Sequence, residues 1–187
     1  NEEYRSPGWA RLKKKLLRWV ILFAVFSMKN FKKLLKEYKI DGYIVPKNDD
    51  YFNEYVSSST DRLKFISNFS GSAGFAIILK NKNYLFVDGR YTIQARFQTR
   101  KNFKVVTIPN KFPKDVLESK KKIILGFDPK LHTEKQLKSL FKIKNVKLKY
   151  IKENLVDIVW NNKPKNSLKP FFTISPKNAG TTSLNKI

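Results

Sequence analysis

The sequence of 187 residues contains no cysteine and a single histidine, His132. The absence of cysteine excludes disulfides, thiolate nucleophiles and cysteine-ligated metals, and it suits a reducing compartment such as the cytoplasm. One histidine excludes the H-E-x-x-H pattern and histidine-rich metal centres. A Ser-His-Asp triad would need His132 as its base, and no G-x-S-x-G motif accompanies it. We therefore predict that His132 is a loop or capping residue.

Acidic residues are also few, with 15 Asp and Glu against 39 Lys and Arg. Asp49 and Asp50 are adjacent, so in an extended segment their side chains point to opposite faces. Asp115 and Glu118 are spaced as neighbours on a surface helix, and the calcium-loop pattern D-x-D-x-D-G is absent. The sequence therefore predicts no catalytic residue, no metal ligand and no cofactor within this chain.

The net charge is +24, with an isoelectric point near 10.1. A field of this sign attracts nucleic acid or anionic lipid. Only seven of the basic residues are arginine, however, and the lysines are spread along the chain. Dispersed lysines are typical of a solvated surface. We therefore predict no nucleic-acid partner, and a basic nucleic-acid-binding module stays the alternative function.

Residues 1–27 differ from the rest of the chain: a basic run is followed by the apolar run Trp19–Phe26. That run is much shorter than the roughly 20 residues of a membrane-spanning helix, and no A-x-A-like cleavage site follows it. We interpret Met28 as the natural start and residues 1–27 as an extension foreign to the domain. A membrane-surface helix over residues 8–27 is the alternative, so we predict no membrane partner unless that segment is native.

From Met28 onward, apolar spacing predicts alternating helices and strands. A first amphipathic helix stops at Asp41-Gly42, and a second, over residues 61–69, is capped by Ser59 or Thr60. A hairpin turns at residues 81–83. Strand-like and helix-like segments then alternate: FKVVTI, PKDVLES, KIILGF, TEKQLKSLF and VKLKYI. This alternation with one hairpin predicts an α/β domain with a mixed sheet.

The turn Gly71-Ser72-Ala73-Gly74 could in principle bind a ligand. It lacks the Lys-Ser/Thr ending of a phosphate loop, and the dinucleotide fingerprint needs three glycines that enter a helix. Its GXXG spacing also occurs in the RNA-binding KH loop, which joins two helices, whereas a strand is predicted here. We favour a tight turn in which glycine supplies a positive φ.

The corner Asp88-Gly89-Arg90-Tyr91 follows the second strand of the hairpin. Asp88 can cap the helix that begins there, and Gly89 eases the turn. Arg90 can pair with Asp88 or with a nearby carboxylate. We favour a structural role for this corner over direct contact with a ligand.

Four segments occur in an order and at spacings that together resemble one family: DGYIVPKNDDYFNEYV, DRLKFISNFSGSAGFAIIL, YLFVDGRYTIQARFQ and ILGFDPKLHT. They are similar to the N-terminal, creatinase-like domain of Xaa-Pro aminopeptidases (aminopeptidase P), over about residues 29–160. The resemblance implies the creatinase/prolidase N-terminal fold, a ribonuclease-H-like α/β fold whose mixed β-sheet is flanked by helices. We expect this domain to span residues 28–160, and residues 161–187 to form a linker and the truncated start of a second domain.

The resemblance also implies a function. Members of the family are dimeric metallopeptidases that release an N-terminal residue preceding proline. Their C-terminal domain holds two metal ions, typically manganese, on two Asp, one His and two Glu. This chain stops before that domain, so the resemblance implies a non-catalytic domain that contributes to dimerisation and to the substrate cleft. The expected partners are its own missing catalytic domain, which would carry both manganese ions, and a second copy of the full-length protein in the cytoplasm.

By motif position, the resemblance places three groups near that cleft or its domain interface. They are Arg62, the turn residues Phe69, Ser70, Gly71, Ser72 and Gly74, and the corner residues Asp88, Arg90 and Tyr91.

Overall fold

The computed structural model describes residues 27–119, 121–166 and 172–187. Residues 27–37 form helix α1. The strands are β1 (Gly42–Pro46), β2 (Phe75–Leu79), β3 (Asn83–Asp88), β4 (Phe103–Ile108), β5 (Ile123–Phe127) and β6 (Val146–Tyr150). The further helices are α2 (Arg62–Ser67), α3 (Thr92–Gln98), α4 (Pro113–Leu117), α5 (Glu134–Phe141), α6 (Leu155–Val159) and α7 (Pro176–Ala179). The predicted extension, residues 1–27, lies outside the described residues apart from residue 27.

The six strands form one mixed sheet in the order β4-β3-β2-β1-β5-β6. Strands β1, β2 and β3 pair antiparallel, whereas β3–β4, β1–β5 and β5–β6 pair parallel. The predicted α/β class, a mixed sheet flanked by helices, is confirmed. In this register the carboxyl ends of five strands and the start of β2 lie along one edge, which we call the carboxyl edge: Pro46, Phe75, Asp88, Ile108, Phe127 and Tyr150.

Both faces of the central strands β1, β2 and β3 are buried. Side chains alternate along a strand, so in β1 Tyr43 and Val45 enter one core cluster with Phe31 and Phe69, and Ile44 enters a second cluster. The second cluster contains Ile77, Phe86, Val106, Leu125 and Phe141. Burial on both faces explains why the central strands read as continuous apolar runs.

The first helix ends differently from the prediction. It stops at residue 37, and Lys39 takes the left-handed conformation with φ 51°. The Ile40 amide donates to the Leu35 carbonyl, as in a Schellman motif. Gly42 is instead part of β1, where a Cβ would lie 2.5 Å from Leu79 Cδ2 and 2.8 Å from the Ile78 carbonyl oxygen. The prediction that Asp41-Gly42 stops the helix is therefore wrong, because close strand packing requires this glycine.

The predicted cap of α2 is also wrong. The helix begins at Arg62, and the residue directly before it, Asp61, accepts a hydrogen bond from the Lys64 amide. Ser59 lies too far upstream to fill the capping position, and its hydroxyl hydrogen-bonds Asn166. The predicted turn between β2 and β3 is confirmed. Helix α5 begins with a capping box of Thr133 and Gln136.

None of the helices in the described residues is long and apolar enough to cross a membrane.

Candidate functional site

The carboxyl edge brings together two of the three groups expected near a cleft. The turn of residues 69–74 leads into β2, and the Asp88–Tyr91 corner leaves β3. The Ser72 and Tyr91 hydroxyls are 2.6 Å apart, and the Phe69 and Tyr91 rings meet edge to face at 5.9 Å. The turn and the corner therefore form one surface, which we call the turn–corner surface: Phe69–Gly74 together with Asp88–Tyr91.

Helix α3 holds the turn from one side. The Ser70 amide and hydroxyl both donate to Gln98 Oε1, at 2.9 and 3.0 Å, and Gln94 Nε2 donates to the Ser70 hydroxyl. Asn68 Nδ2 donates to the Gln98 carbonyl. The two glutamines were not singled out from the sequence. Their spacing of four residues, which places both side chains on one face of α3, is the signal that could have found them.

The glycines of the turn are required by space and by conformation. A Cβ at Gly71 would lie 2.2 Å from Phe69 Cζ, so the buried ring occupies the place of a side chain. Gly74 has φ +152°, and its Cβ would lie 2.7 Å from the Phe86 carbonyl oxygen. The predicted tight turn with a positive-φ glycine is confirmed. Helix α2 precedes the turn and strand β2 follows it, which differs from the two helices that flank a KH loop.

We expect Gly74→Ala to lower the free energy of unfolding by about 2–4 kcal/mol. Alanine would be strained at this positive φ, and its Cβ would clash with the Phe86 carbonyl oxygen. Gly89→Ala is the matched control, since a Cβ there meets nothing within 4 Å, and its effect should stay within about 0.5 kcal/mol. Urea denaturation followed by circular dichroism measures both. Equal effects of the two substitutions would contradict this account of the turn.

The corner carries an exposed ion pair. Asp88 accepts a hydrogen bond from the Arg90 amide, and the Arg90 Nη2 lies 2.7 Å from Asp88 Oδ2. The hydrogen bond from Arg90 lowers the pKa of Asp88 below its ordinary value. The predicted cap and the predicted pairing are both confirmed. Because 74% of the Arg90 side chain is exposed, its guanidinium can still donate to a molecule that docks on this surface.

The side chain of Arg62, the third group, contacts residues outside the turn–corner surface. It stands at the start of α2 and donates from Nε and Nη2 to the Asp157 carboxylate of α6, at 3.0 and 2.8 Å. Lys163 Nζ also reaches Asp157, at 2.9 Å. Burial would raise the pKa of Asp157, but the hydrogen bonds from Arg62 and Lys163 outweigh it and the pKa lies below its ordinary value. This ion pair links α2 to α6. A role of Arg62 near a substrate cleft remains a prediction.

The remaining candidates for chemistry are dispersed. Asp49 accepts hydrogen bonds from the Tyr51 and Asn53 amides and so closes its own loop, and Asp50 lies 3.9 Å from Arg62. His132 ends the short 3-10 turn Pro129–Leu131, as predicted for a loop or capping residue. Within the described ranges, no group of three or more histidine, aspartate or glutamate residues could hold a metal ion. We assign no step of a metal-dependent reaction to these residues.

Lysines are dispersed in the structure as well. Exposed lysines occur on α1, after β2, on β4, on α5 and on β6: Lys33, Lys36, Lys80, Lys104, Lys135, Lys138, Lys147 and Lys149. This distribution over elements on different parts of the sheet is typical of a solvated coat rather than of one nucleic-acid groove.

Comparison with known proteins places this geometry in context. The family model of the creatinase/prolidase N-terminal domain matches residues 28–158. A Laccaria bicolor protein named "Probable Xaa-Pro aminopeptidase P" is 37% identical over 169 residues, and a Coprinopsis cinerea protein of the same name is 35% identical over 167. Each match covers 83% of this chain and 26% of the relative. The chain therefore spans about a quarter of the length of these curated relatives.

Solved structures share the fold. The X-prolyl aminopeptidase of Caenorhabditis elegans, described as a cytosolic enzyme with a di-nuclear active site, aligns with a TM-score of 0.72 at 26% identity. The alignment covers 87% of this chain and 29% of that chain. The N-terminal domain of the cytoplasmic peptidase PepQ from Mycobacterium tuberculosis aligns at 0.54 and 19% identity, covering 71% of this chain and 97% of that domain. Because the identity is only 19%, this second match supports the fold and nothing further.

Proposed function

This chain belongs to the creatinase/prolidase N-terminal domain family, and from that premise we propose that it is the non-catalytic N-terminal domain of a metal-dependent Xaa-Pro aminopeptidase. The observation that carries the proposal is the match to the family over residues 28–158, shared with relatives that bear this name. The reaction of such an enzyme is release of an N-terminal residue that precedes proline. Residues 28–160 are the proposed domain, and 161–187 the proposed linker and start of a second domain.

The proposed contribution of this chain is to shape and close a substrate cleft. The turn–corner surface supports it, because Ser72, Arg90 and Tyr91 carry hydrogen-bonding groups on this surface. The turn within it is held by the conformation of Gly74 and by hydrogen bonds to α3. A rigid, pre-ordered surface loses little entropy when a substrate or another domain docks on it. Two manganese ions belong, in this proposal, to a catalytic domain outside this chain.

Association is the second proposed contribution. Beside the corner, α3 exposes Ile93 and Phe97, whose exposed fractions are 72% and 87%. Two large apolar side chains on one short helix are typical of an interaction surface. They support contact with the catalytic domain or with a second copy in a homodimer. We propose the cytoplasm as the compartment, in keeping with the absence of cysteine.

An activity assay tests the non-catalytic role. We expect the purified 187-residue chain to hydrolyse a Lys-Pro-Leu peptide no faster than a protein-free blank when manganese is added. Turnover that requires manganese and stops with EDTA would contradict the proposal.

A binding assay separates the proposal from the nucleic-acid alternative. With a labelled 25-nucleotide RNA, we expect only weak binding that disappears between 50 and 200 mM salt, because dispersed lysines give non-specific contacts. Nanomolar binding that persists at 200 mM salt would favour a basic nucleic-acid-binding module instead.

A further inference from the structure

Strand β6 forms one edge of the sheet. It pairs in parallel with β5, and among the described residues no strand pairs with its other side. The Ile151 amide, directly after β6, donates to the Phe127 carbonyl of β5. In a parallel ladder every second residue bonds to the same neighbour, so Leu148 and Tyr150 direct their N–H and C=O groups away from β5. Such a row of outward groups is a template for an added strand.

An open groove of about 470 Å³ lies between β6 and α5 at this edge. Leu137 and Phe141 line it from the helix, and Val146 and Leu148 line it from the strand. Phe141 is buried in the second core cluster, whereas the other three pack against that cluster and stay partly exposed. Apolar side chains of an added strand can therefore cover apolar surface in this groove.

Basic side chains border the groove. Lys138 and Lys142 border it on α5 together with Glu134, and Lys147 borders it at the edge of β6. Glu134 pairs with Lys138, whereas Lys142 and Lys147 form no ion pair within the described ranges. Lys149 follows two positions after Lys147 on the same face of β6, and both side chains are exposed. A strand that adds here therefore meets an excess of positive charge.

The lysines of β6 decide which strand can add to it. A second copy of this chain that paired through β6 would place its own lysines against Lys147 and Lys149, and like charges on opposed residues destabilise a strand pair. Lysines on an edge strand are a common device against such pairing. A strand that places carboxylates opposite the same two lysines gains instead of losing. The charge of this edge therefore favours an acidic strand over a second copy.

We propose that β6 and its groove bind an extended acidic peptide segment, which adds to the sheet as a further strand. The outward backbone groups of Leu148 and Tyr150 hydrogen-bond its main chain, and the pattern of its side chains provides the specificity. On the face of α5 its side chains are apolar and enter the groove. On the other face they are acidic and meet Lys147 and Lys149. The inference is independent of the proposed peptidase role, and its test measures binding alone.

Fluorescence anisotropy of the full 187-residue chain with labelled peptides tests the proposal, at about 150 mM salt so that long-range attraction is screened. The first probe is the alternating peptide EVEVEVE, which should bind saturably, and the second is its basic counterpart KVKVKVK, which should not bind. Equal binding of the two peptides, or no binding of either, would overturn the proposal.

Two methylated peptides separate strand addition from attraction by net charge. Both keep the sequence EVEVEVE, but one carries N-methyl groups on its valines and the other on its glutamates. Along a strand, neighbouring amides point to opposite sides, so only one of the two sets faces β6. One methylated peptide should therefore bind about 10-fold or more weakly, and the other should stay within about 2-fold of EVEVEVE. Loss in both peptides or in neither would overturn the proposal.

A pair of charge reversals locates the binding at β6. Lys147→Glu places a like charge opposite the acidic strand, and Lys104→Glu is the matched control because Lys104 is exposed on β4, at the opposite edge of the sheet. We expect Lys147→Glu to weaken the binding of EVEVEVE by about 5-fold or more and Lys104→Glu by less than about 2-fold. Equal weakening would assign the binding to the overall charge of the chain and overturn the proposal.

A second pair of variants tests the outward backbone. Tyr150→Pro removes one outward N–H and leaves the bonds to β5 in place, since those use alternate residues. The Tyr150 side chain is 71% exposed, and Tyr150→Ala keeps the N–H. Tyr150→Pro should weaken the binding of EVEVEVE by about 5-fold or more and Tyr150→Ala by less than about 2-fold, and equal effects would contradict strand addition.

Two further outcomes are decisive. A dimer of the unliganded chain in sedimentation velocity that Tyr150→Pro abolishes would assign this edge to a second copy and overturn the proposal. Should Tyr150→Pro fail to fold, as judged by its far-ultraviolet spectrum, the methylated peptides and Lys147→Glu still decide the question.

Discussion

Replacing Phe69 with alanine is expected to lower the free energy of unfolding by about 3–5 kcal/mol. The side chain is fully buried, and its ring meets Tyr91 edge to face and occupies the space beside Gly71. Truncation removes these contacts and leaves a cavity that the turn cannot refill, because Gly71 has no side chain. Urea denaturation monitored by circular dichroism measures the loss.

Phe97→Ala is the matched control for this substitution. Its ring is 87% exposed, so truncation should change the free energy of unfolding by no more than about 0.5 kcal/mol. A loss below about 1 kcal/mol for Phe69→Ala, or a larger loss for Phe97→Ala, would contradict the packing described for the turn. The expected contrast separates the two aromatic residues by role: Phe69 builds the turn–corner surface, and Phe97 remains available for association.

Asp157→Asn is expected to lower the free energy of unfolding by about 3 kcal/mol, because the buried Arg62 guanidinium loses the carboxylate that accepts its two hydrogen bonds, and Asp50 stays 3.9 Å away. The pair joins α2 to α6 through two hydrogen bonds, and the Arg62 side chain is only 6% exposed. Loss of the negative charge also leaves Lys163 without its partner at 2.9 Å. Thermal and urea denaturation both report this loss.

The exposed ion pair of Asp88 and Arg90, which is also an aspartate with an arginine, provides the control. Asp88→Asn removes the charge partner of Arg90, whose side chain is 74% exposed, and asparagine still caps the short turn. The expected loss is at most about 1 kcal/mol. If Asp157→Asn and Asp88→Asn lower the free energy of unfolding by the same amount, burial does not govern the strength of these ion pairs. The double variant Arg62→Met with Asp157→Leu should recover much of the stability lost in Asp157→Asn, because it removes both charges of this pair.

The depressed pKa of Asp157 gives this pair a pH dependence of known sign. A carboxyl whose pKa is lower in the folded state stabilises the fold fully above its ordinary pKa of 3.8. That stability disappears as the pH falls through the folded-state value. The unmodified chain should therefore lose more stability than Asp157→Asn when the pH is lowered from 5 towards 3. Parallel loss in both would assign the acid sensitivity to other carboxyls.

Local chemistry was predictable from the sequence wherever the partners are neighbours in the chain. Asp88 caps the residues directly after it and pairs with Arg90 two positions away. Thr133 and Gln136 form a capping box across three positions. The α/β class followed from the alternation of apolar segments, since a helix and a strand each repeat with their own period. The predicted cap of α2 was wrong by one or two positions. Ser59, Thr60 and Asp61 are all residue types that cap helices, and only the backbone conformation decides which of them does so.

The tertiary structure alone decided which distant residues meet. Ser72 and Tyr91 meet because β2 and β3 are paired in one register, and Arg62 meets Asp157 across 95 positions because α2 packs beside α6. Gly42 is required by the side chain of a neighbouring strand, not by the helix before it. Periodicity and capping act within a few residues and can be read along the chain, whereas strand register and helix docking depend on the packing of the whole core.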